Sequence, residues 1–279
     1  MRARGVAALL AVLAAGTAAE AAAQSWRTVS TSRQKGREES LDVRVTYGAG
    51  RFNVRSLDDD LLYRMQLRYD EDRFQPVSEL DGGRLRLGIE GTGGEMNLGT
   101  RRGGEMELEL ARGVSMELEL AFGAVEADVD LGGLSLTRLQ VETGASESRV
   151  DVSSPNPLEM RHASFQVGAA EFTARRLGNL NARTIEVNAG VGDVTLDLTG
   201  AWARPADVRV KMGLGSLRLR FPEGLGVRLR KKTFLTALDA QGLVKRGDDY
   251  YSPDWETAER RITVEVEAAF GSIDVGWVR

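Results

Sequence analysis

The amino-acid sequence predicts an all-β fold and, within that class, a β-helix-like β-solenoid with coils of about 21–24 residues and a hairpin-bearing C-terminal cap. Three observations predict it. Apolar and polar residues alternate in "MELEL" at 106–110 and again at 116–120, in "VRVK" at 208–211 and in "ITVEVE" at 262–267. That is the period of two expected of half-buried strands. Long helical periodicity is missing, while glycine is abundant at 32 residues. Finally, the glycines recur: Gly123, Gly144, Gly168, Gly190 and Gly213 follow one another at steps of 21, 24, 22 and 23 residues. Self-similarity at that period marks stacked architectures. A two-sheet β-sandwich is the alternative, since short strands with frequent turns also suit that class.

Taken in order, residues 1–23 read as a secretory signal peptide. "MRAR" is a basic start, "GVAALLAVLAAG" a short apolar stretch, and "AEAAAQ" offers small residues for cleavage near Ala23. No later segment approaches the ~18 apolar residues of a membrane span. Residues 24–40, rich in Ser, Arg and Gln, read as a flexible leader. One domain then covers 41–279: a meandering start to about 118, regular coils over 118–221, and a cap over 222–279 that returns to the stack. "VRVTYGAGRFNV" places Gly48 in register with the glycine series, and "VEVEAAFGSIDV" places Gly271 where Gly192 and Gly215 stand. Two apolar columns are expected inside the stack. One is Leu120, Val141, Val167, Val187 and Val210; the other is Val129, Val150, Ala174, Leu196 and Leu219.

The Gly-x-Gly of "NAGVGDVTLDLTG" at 188–200 raises the question of a phosphate-binding loop. Such loops open a helix whose N-terminal amides hold the anion. Here strands follow and the motif repeats, so the glycines are corners, where positive φ is tolerated.

"LELAFGAVEADVDLGGLSLTRLQVETGASESRVDV" resembles the glycine-repeat core of the toast-rack family of bacterial envelope proteins. "KMGLGSLRLRFPEGLGVRLRKKTFL", followed by "GLVKRGDDYYSPDWETAERRITVEVEAAFGSIDV", resembles the end of that family. It is also similar to the C-terminal domain of LiaF-type proteins, which respond to cell-wall-active antibiotics. The likeness runs over about residues 41–279. It implies a β-helical fold and an extracytoplasmic or membrane-facing position, and it brings no catalytic residues. LiaF-type proteins carry several transmembrane helices before this domain, where this chain has the signal-peptide pattern.

Composition narrows the chemistry. Lys and Arg number 37 and Asp and Glu 41, a formal net charge of −4, which argues against nucleic acid as a partner. Cysteine is absent, excluding disulfides, thiolate metal sites and N-terminal lipidation. No cofactor or metal site is expected. The single histidine, His162, has Ser164 and Ser154 near it in sequence but no nucleophile-elbow pattern, and it reads as a loop residue. Asp130, Asp151, Arg175, Asp197 and Arg220 share one outward slot of successive coils. Most of these charges read as register-keeping surface pairs, with Asp130 beside Asp151 as the one like-charged contact and a place for a cation. "SLDDDLL" at 56–62 lacks the spacing of a calcium loop and reads as a solvated turn.

Two stretches are candidates for an interaction surface. "RLRKK" gathers Arg228, Arg230, Lys231 and Lys232, either as a charged edge that blocks sheet association or as a site for anionic lipid or wall polymer. "GDDYYSPDWE" carries Tyr250, Tyr251 and Trp255, either as a plug over the open end of the solenoid or as aromatics for sugar or protein. "KRGDDYYS" reads as a hairpin with a Gly-Asp turn. The functional expectation is a non-enzymatic exported envelope protein: a scaffold, adhesin-like or stress-response interaction module with envelope proteins among its partners. The second reading is a carbohydrate-active enzyme, a polysaccharide lyase or hydrolase on a β-helix, which requires carboxylates converging in one groove.

Overall fold

The computed structural model describes residues 25–92 and 104–278. The expected signal peptide lies outside the described residues. In chain order the strands are β1 (Trp26–Gln34), β2 (Ser40–Leu57), β3 (Leu61–Asp70), β4 (Phe74–Asp81), β5 (Arg84–Gly91), β6 (Glu105–Ala111), β7 (Ser115–Asp130), β8 (Ser135–Thr143), β9 (Glu147–Asp151) and β10 (Met160–Arg175). They continue as β11 (Ala182–Asp197), β12 (Ala206–Pro222), β13 (Gly226–Asp239), β14 (Val244–Arg246), β15 (Asp249–Tyr251) and β16 (Arg261–Val278). Among the described residues the one helical element is a 3-10 turn at Leu177–Leu180. All sixteen strands belong to one sheet, wound into a solenoid rather than split into a sandwich.

Most of the regular coils are one long strand bent at its glycine corner, and one is split into β8 and β9 on either side of Gly144. In β11, Ile185, Val187 and Ala189 on the first arm and Val194 and Leu196 on the second are buried. A closing loop carrying buried Leu198 and Trp202 leads to the next coil. Phe165 and Phe172, one from each arm of β10, meet inside with ring centroids 5.7 Å apart. β10, β11 and β12 pair in parallel and in register through the corner. The interior is therefore made of columns of like side chains at the strand spacing of about 4.8 Å. The second expected column is found, with Val129, Val150, Ala174, Leu196 and Leu219 in successive coils. The first needs one correction: Phe165, not Val167, stands between Val141 and Val187. Val167 is two residues further on and pairs with Thr143 and Ala189. Phe165 precedes Gly168 by three residues, as Val187 precedes Gly190 and Val210 precedes Gly213, so the β10 coil keeps the common spacing and fills the column with an aromatic ring where its neighbours carry valine.

The corner glycines form two columns with different causes. Gly123, Gly168, Gly190 and Gly213 have no positive φ. They are needed for space: a Cβ would lie 2.5 Å from the Gly48 carbonyl oxygen at Gly123 and 2.5 Å from that of Gly190 at Gly213. The expected positive φ belongs to the second column, with Gly192 and Gly215 at 139°. There too the preceding coil's carbonyl fills the Cβ position.

The third side of the coils between β8 and β12 is held by asparagines that the periodicity does not reveal. Buried Asn156 donates from Nδ2 to the carbonyls of Leu136 (2.8 Å) and Leu180 (3.1 Å), and its Oδ1 accepts from the Leu136 amide (3.0 Å). Asn179 donates to the Val152 carbonyl and accepts from the Ala201 amide, both at 2.8 Å. These side chains do between loops what a ladder does between strands, leaving the buried carbonyls satisfied.

Chain order and spatial order part at both ends. β16 lies between β12 and β13 and is parallel to both. β2 lies between β7 on one side and β5 and β6 on the other. The expected meandering start thus already contains a full coil, β2, with Gly48 beside Gly123 as the glycine alignment requires. The expected flexible leader is also corrected. Residues 26–34 form β1 and pair with β3 along their whole length, because β3 would otherwise present an unpaired edge and Val29 packs on the core.

Candidate functional site

At the C-terminal end, β14 and β15 form a hairpin through Gly247 and Asp248, with Gly247 at φ 64°. The hairpin covers residues 228–230 of β13. Alternation along β15 turns Asp249 and Tyr251 outward and Tyr250 toward the core, against which it packs. Asp249 is buried and accepts from both neighbours: Arg228 Nε at 2.7 Å and Arg230 Nε at 3.1 Å. The Arg230 hydrogen bond, with that of Arg228, holds the Asp249 carboxyl below the usual carboxylate range against the opposing effect of burial. Tyr251 and Trp255 meet edge to face at 5.5 Å. Guanidinium groups flank them: Arg228 at 5.8 Å and Arg246 at 5.5 Å from the Tyr251 ring, and Arg261 at 5.7 Å from that of Trp255. The "SPDW" segment is fastened by buried Ser252, whose Oγ accepts from the Val227 amide at 2.9 Å.

The structure therefore brings Arg228, Arg230, Tyr251 and Trp255 together around Asp249. Tyr250 is set apart on the core side of the same hairpin. Lys231 and Lys232 lie further along β13 and point to opposite faces. Lys232 bonds Glu265 and lies 3.7 Å from Glu267, and the Glu265 bond raises the Lys232 ammonium's pKa. Lys231 continues the inward row of Val227 and Leu229 and pairs with Val266. It ends the interior column Val141, Phe165, Val187, Val210 and Val266 with a charge.

The charged slot has the register expected of it but different partners. Asp130 adjoins Asp151, Arg175 adjoins Asp151, and Asp197 adjoins Arg220. Yet Asp151 bonds Arg176 at 2.5 Å rather than Arg175. Asp130 accepts from the amides of Gly132 (2.9 Å) and Ser153 (3.1 Å), and Asp197 from that of Thr199 (2.9 Å). Short aspartates at the end of an arm reach the next turn's amides more readily than a side chain one coil away. Burial works to raise the Asp130 pKa, but hydrogen bonds from Ser153 and Gly132, with the Arg55 charge, leave it lowered. Burial raises that of Asp151 despite Arg176 and Arg175, with the Asp130 charge adding to it. Among the described residues no group of three or more His, Asp or Glu is placed to hold a metal ion.

His162 is not in a loop. It lies within β10, half-buried on the outward face, with Ser164 two residues along and Glu186 4.0 Å away.

The surface feature that sequence reasoning missed is the corner itself. Ala169, Val191, Leu214, Phe270 and Leu235 are successive neighbours across five coils. Val191, Leu214 and Phe270 are about half exposed, Leu235 is 63% exposed and Phe234 79% exposed. Beside this ridge, an open groove of about 870 Å³ runs along the second arms. Glu126, Glu147, Glu171 and Asp193 line it in one column. The signal in the sequence is the large apolar residue directly before each glycine of the second column: Val191 before Gly192, Leu214 before Gly215 and Phe270 before Gly271.

A parallel β-solenoid with stacked glycine corners and a cap of intramolecular ion and ring contacts defines the class. The family model described as the N-terminal domain of toast_rack matches residues 21–175 and 157–220. The chain belongs to the toast-rack family. No curated protein matches it. Similar solved structures include a candidate cell adhesion protein of Clostridium sporogenes, 18% identical, with 91% of this chain and 100% of that chain covered and a TM-score of 0.49. A candidate adhesin of Parabacteroides distasonis is 12% identical over 90% of this chain and 97% of its own, with a TM-score of 0.41. A candidate lipid-binding protein of the same species is 9% identical over 91% and 97%, with a TM-score of 0.36. Among the described residues no helix is long and apolar enough to cross a membrane.

Proposed function

We propose that this chain is a non-enzymatic, exported envelope protein: an adhesin-like interaction module with a rigid, repetitive surface. The observation that carries this reading is the corner ridge. A folded protein normally covers contiguous large apolar side chains, and an exposed row marks a contact surface. The coils hold Val191, Leu214 and Phe270 outward at fixed spacing, a geometry suited to an extended partner lying along the solenoid axis. Export follows from the N-terminal pattern and is checked by sequencing the N-terminus of the mature protein, expected near residue 24.

The cap cluster serves as a plug in this reading. Trp255→Ala is expected to lower the melting temperature and to leave envelope binding intact. Unchanged stability with lost binding would move the contact surface to Tyr251, Trp255 and the adjoining arginines.

The function is tested by incubating the purified mature chain with isolated cell envelopes and, separately, with a panel of polysaccharides. Saturable co-sedimentation with envelopes, weakened by Leu214→Lys, and no release of reducing or unsaturated ends are expected. Sustained glycan cleavage that disappears in Glu147→Gln/Glu171→Gln would replace the module with a carbohydrate-active enzyme.

A further inference from the structure

The two ends of the solenoid are finished differently. At the N-terminal end, β4 covers β5 and carries Pro76, which cannot donate to a further strand. On the other arm β3 and β1 cover β6, and the outermost strand, β1, exposes mainly polar and charged side chains. At the C-terminal end the hairpin covers only residues 228–230 of β13. Among the described residues, no strand pairs with the outer side of residues 231–239. Natural sheets blunt such edges with charge, proline or a covering element. Here the middle of the open edge instead presents Phe234 and Leu235.

The charges along this edge are ordered. Lys231 and Lys232 stand at its beginning and Asp239 at its end. Among the described residues Asp239 forms no ion pair, while Lys232, the outward-facing lysine, is shared between Glu265 and Glu267. Asp239 is neighboured within the sheet by another acid, Asp274. A strand that is basic at one end, apolar in the middle and acidic at the other is complementary to itself when run antiparallel. It is not complementary to β1, whose charges are Arg27 and Arg33.

We propose that the open edge of β13, residues 231–239, is a self-association surface on which a second copy of this chain adds its own β13 antiparallel. Side-chain direction fixes the register. Lys232 and Asp239 both project outward, so Lys232 of one copy lies opposite Asp239 of the other, Phe234 opposite Ala237 and Leu235 opposite Thr236. The contact is isologous and closes at two copies. Main-chain hydrogen bonds supply pairing, the apolar middle supplies burial, and the end charges set direction.

Analytical ultracentrifugation of the purified chain from residue 24 onward tests this. A dimer is expected at micromolar concentration, and Leu235→Lys is expected to weaken it about a hundredfold. Because the chain has no cysteine, Phe234→Cys/Ala237→Cys offers a second reading that does not depend on a destabilising variant. It is expected to form a disulfide-linked dimer under mild oxidation, with each single variant cross-linking far less. A wild-type chain that stays monomeric overturns the proposal. So do chains of unlimited length, which indicate head-to-tail stacking, and a dimer indifferent to Leu235→Lys. The measurement uses pure protein, so its outcome is separate from that of the envelope-binding experiment.

Discussion

The regular coils and the two ends are built from the same strands on opposite plans. Between β7 and β12 the chain stacks each coil on the one it has just completed. At the C-terminal end it leaves a gap and fills it later: β13 is laid down one place too far out, and β16 then enters between β12 and β13. β2 occupies the mirrored position between β7 and the pair β5 and β6. The coils can add one neighbour at a time, as in repeat proteins generally. The ends require contacts between segments distant in sequence, so they tie the terminal strands to the cooperative unfolding of the whole.

The largest expected effect separates these plans directly. Truncation after Arg260 removes β16 and leaves β12 and β13 without their shared neighbour. Loss of a cooperative thermal transition by circular dichroism is expected, with exposed core detected by dye binding. Replacing the hairpin residues 244–251 with a short glycine turn should instead preserve a cooperative transition at lower temperature. If the truncated chain melts as sharply as the full one, the inserted strand is not what couples the end to the coils.

A smaller effect tests how closely the coils approach one another. Gly215 combines φ 139° with a Cβ position 1.8 Å from the Gly192 carbonyl oxygen. Gly215→Ala is expected to cost about 1–3 kcal/mol from backbone strain, with the steric clash added. At Gly144 the nearest oxygen is 3.3 Å from the Cβ position and φ is not positive, so Gly144→Ala should cost below about 1 kcal/mol. Chemical denaturation of the two variants checks the order. Equal costs would show that the two corners do not differ as their geometry requires.

The smallest effect lies in the cap and depends on pH. The folded Asp249 pKa is lowered, so its contribution to stability is fully present above the unfolded carboxylate pKa of about 3.9. It disappears as pH falls through the lower folded value. Asp249→Asn should therefore reduce the melting temperature at neutral pH, with the difference from wild type shrinking under acid. A difference that persists undiminished at the lowest pH would assign the effect to packing.

The contrast between coils and ends also explains what was legible in the sequence. Periodicity reveals neighbours where chain order and spatial order coincide. Gly123 to Gly213 and the column Val129, Val150, Ala174, Leu196 and Leu219 were readable for that reason. Gly48 and Gly271 were recognisable as corners, but their places between non-consecutive coils were not, because insertion leaves no local mark. β1 was missed because its apolar side is short and its sequence is mostly polar. The ladder of Asn156 and Asn179 was missed because it sits in loops of varying length, outside any strand period. At the surface, the aromatic and basic residues of the cap were conspicuous by composition. The ridge of Val191, Leu214 and Phe270 was hidden because each member looks like an ordinary strand hydrophobe, and only the corner turns it outward.

The inserted C-terminal strand has a mechanical consequence. A solenoid pulled from an ordinary terminus peels one winding at a time, breaking a few bonds at each step. A load applied at the end of β16 runs along a strand gripped on both flanks, so two ladders must slide together before anything gives. Tethered through that terminus, the molecule would resist tension by shear, failing at high force and in one event.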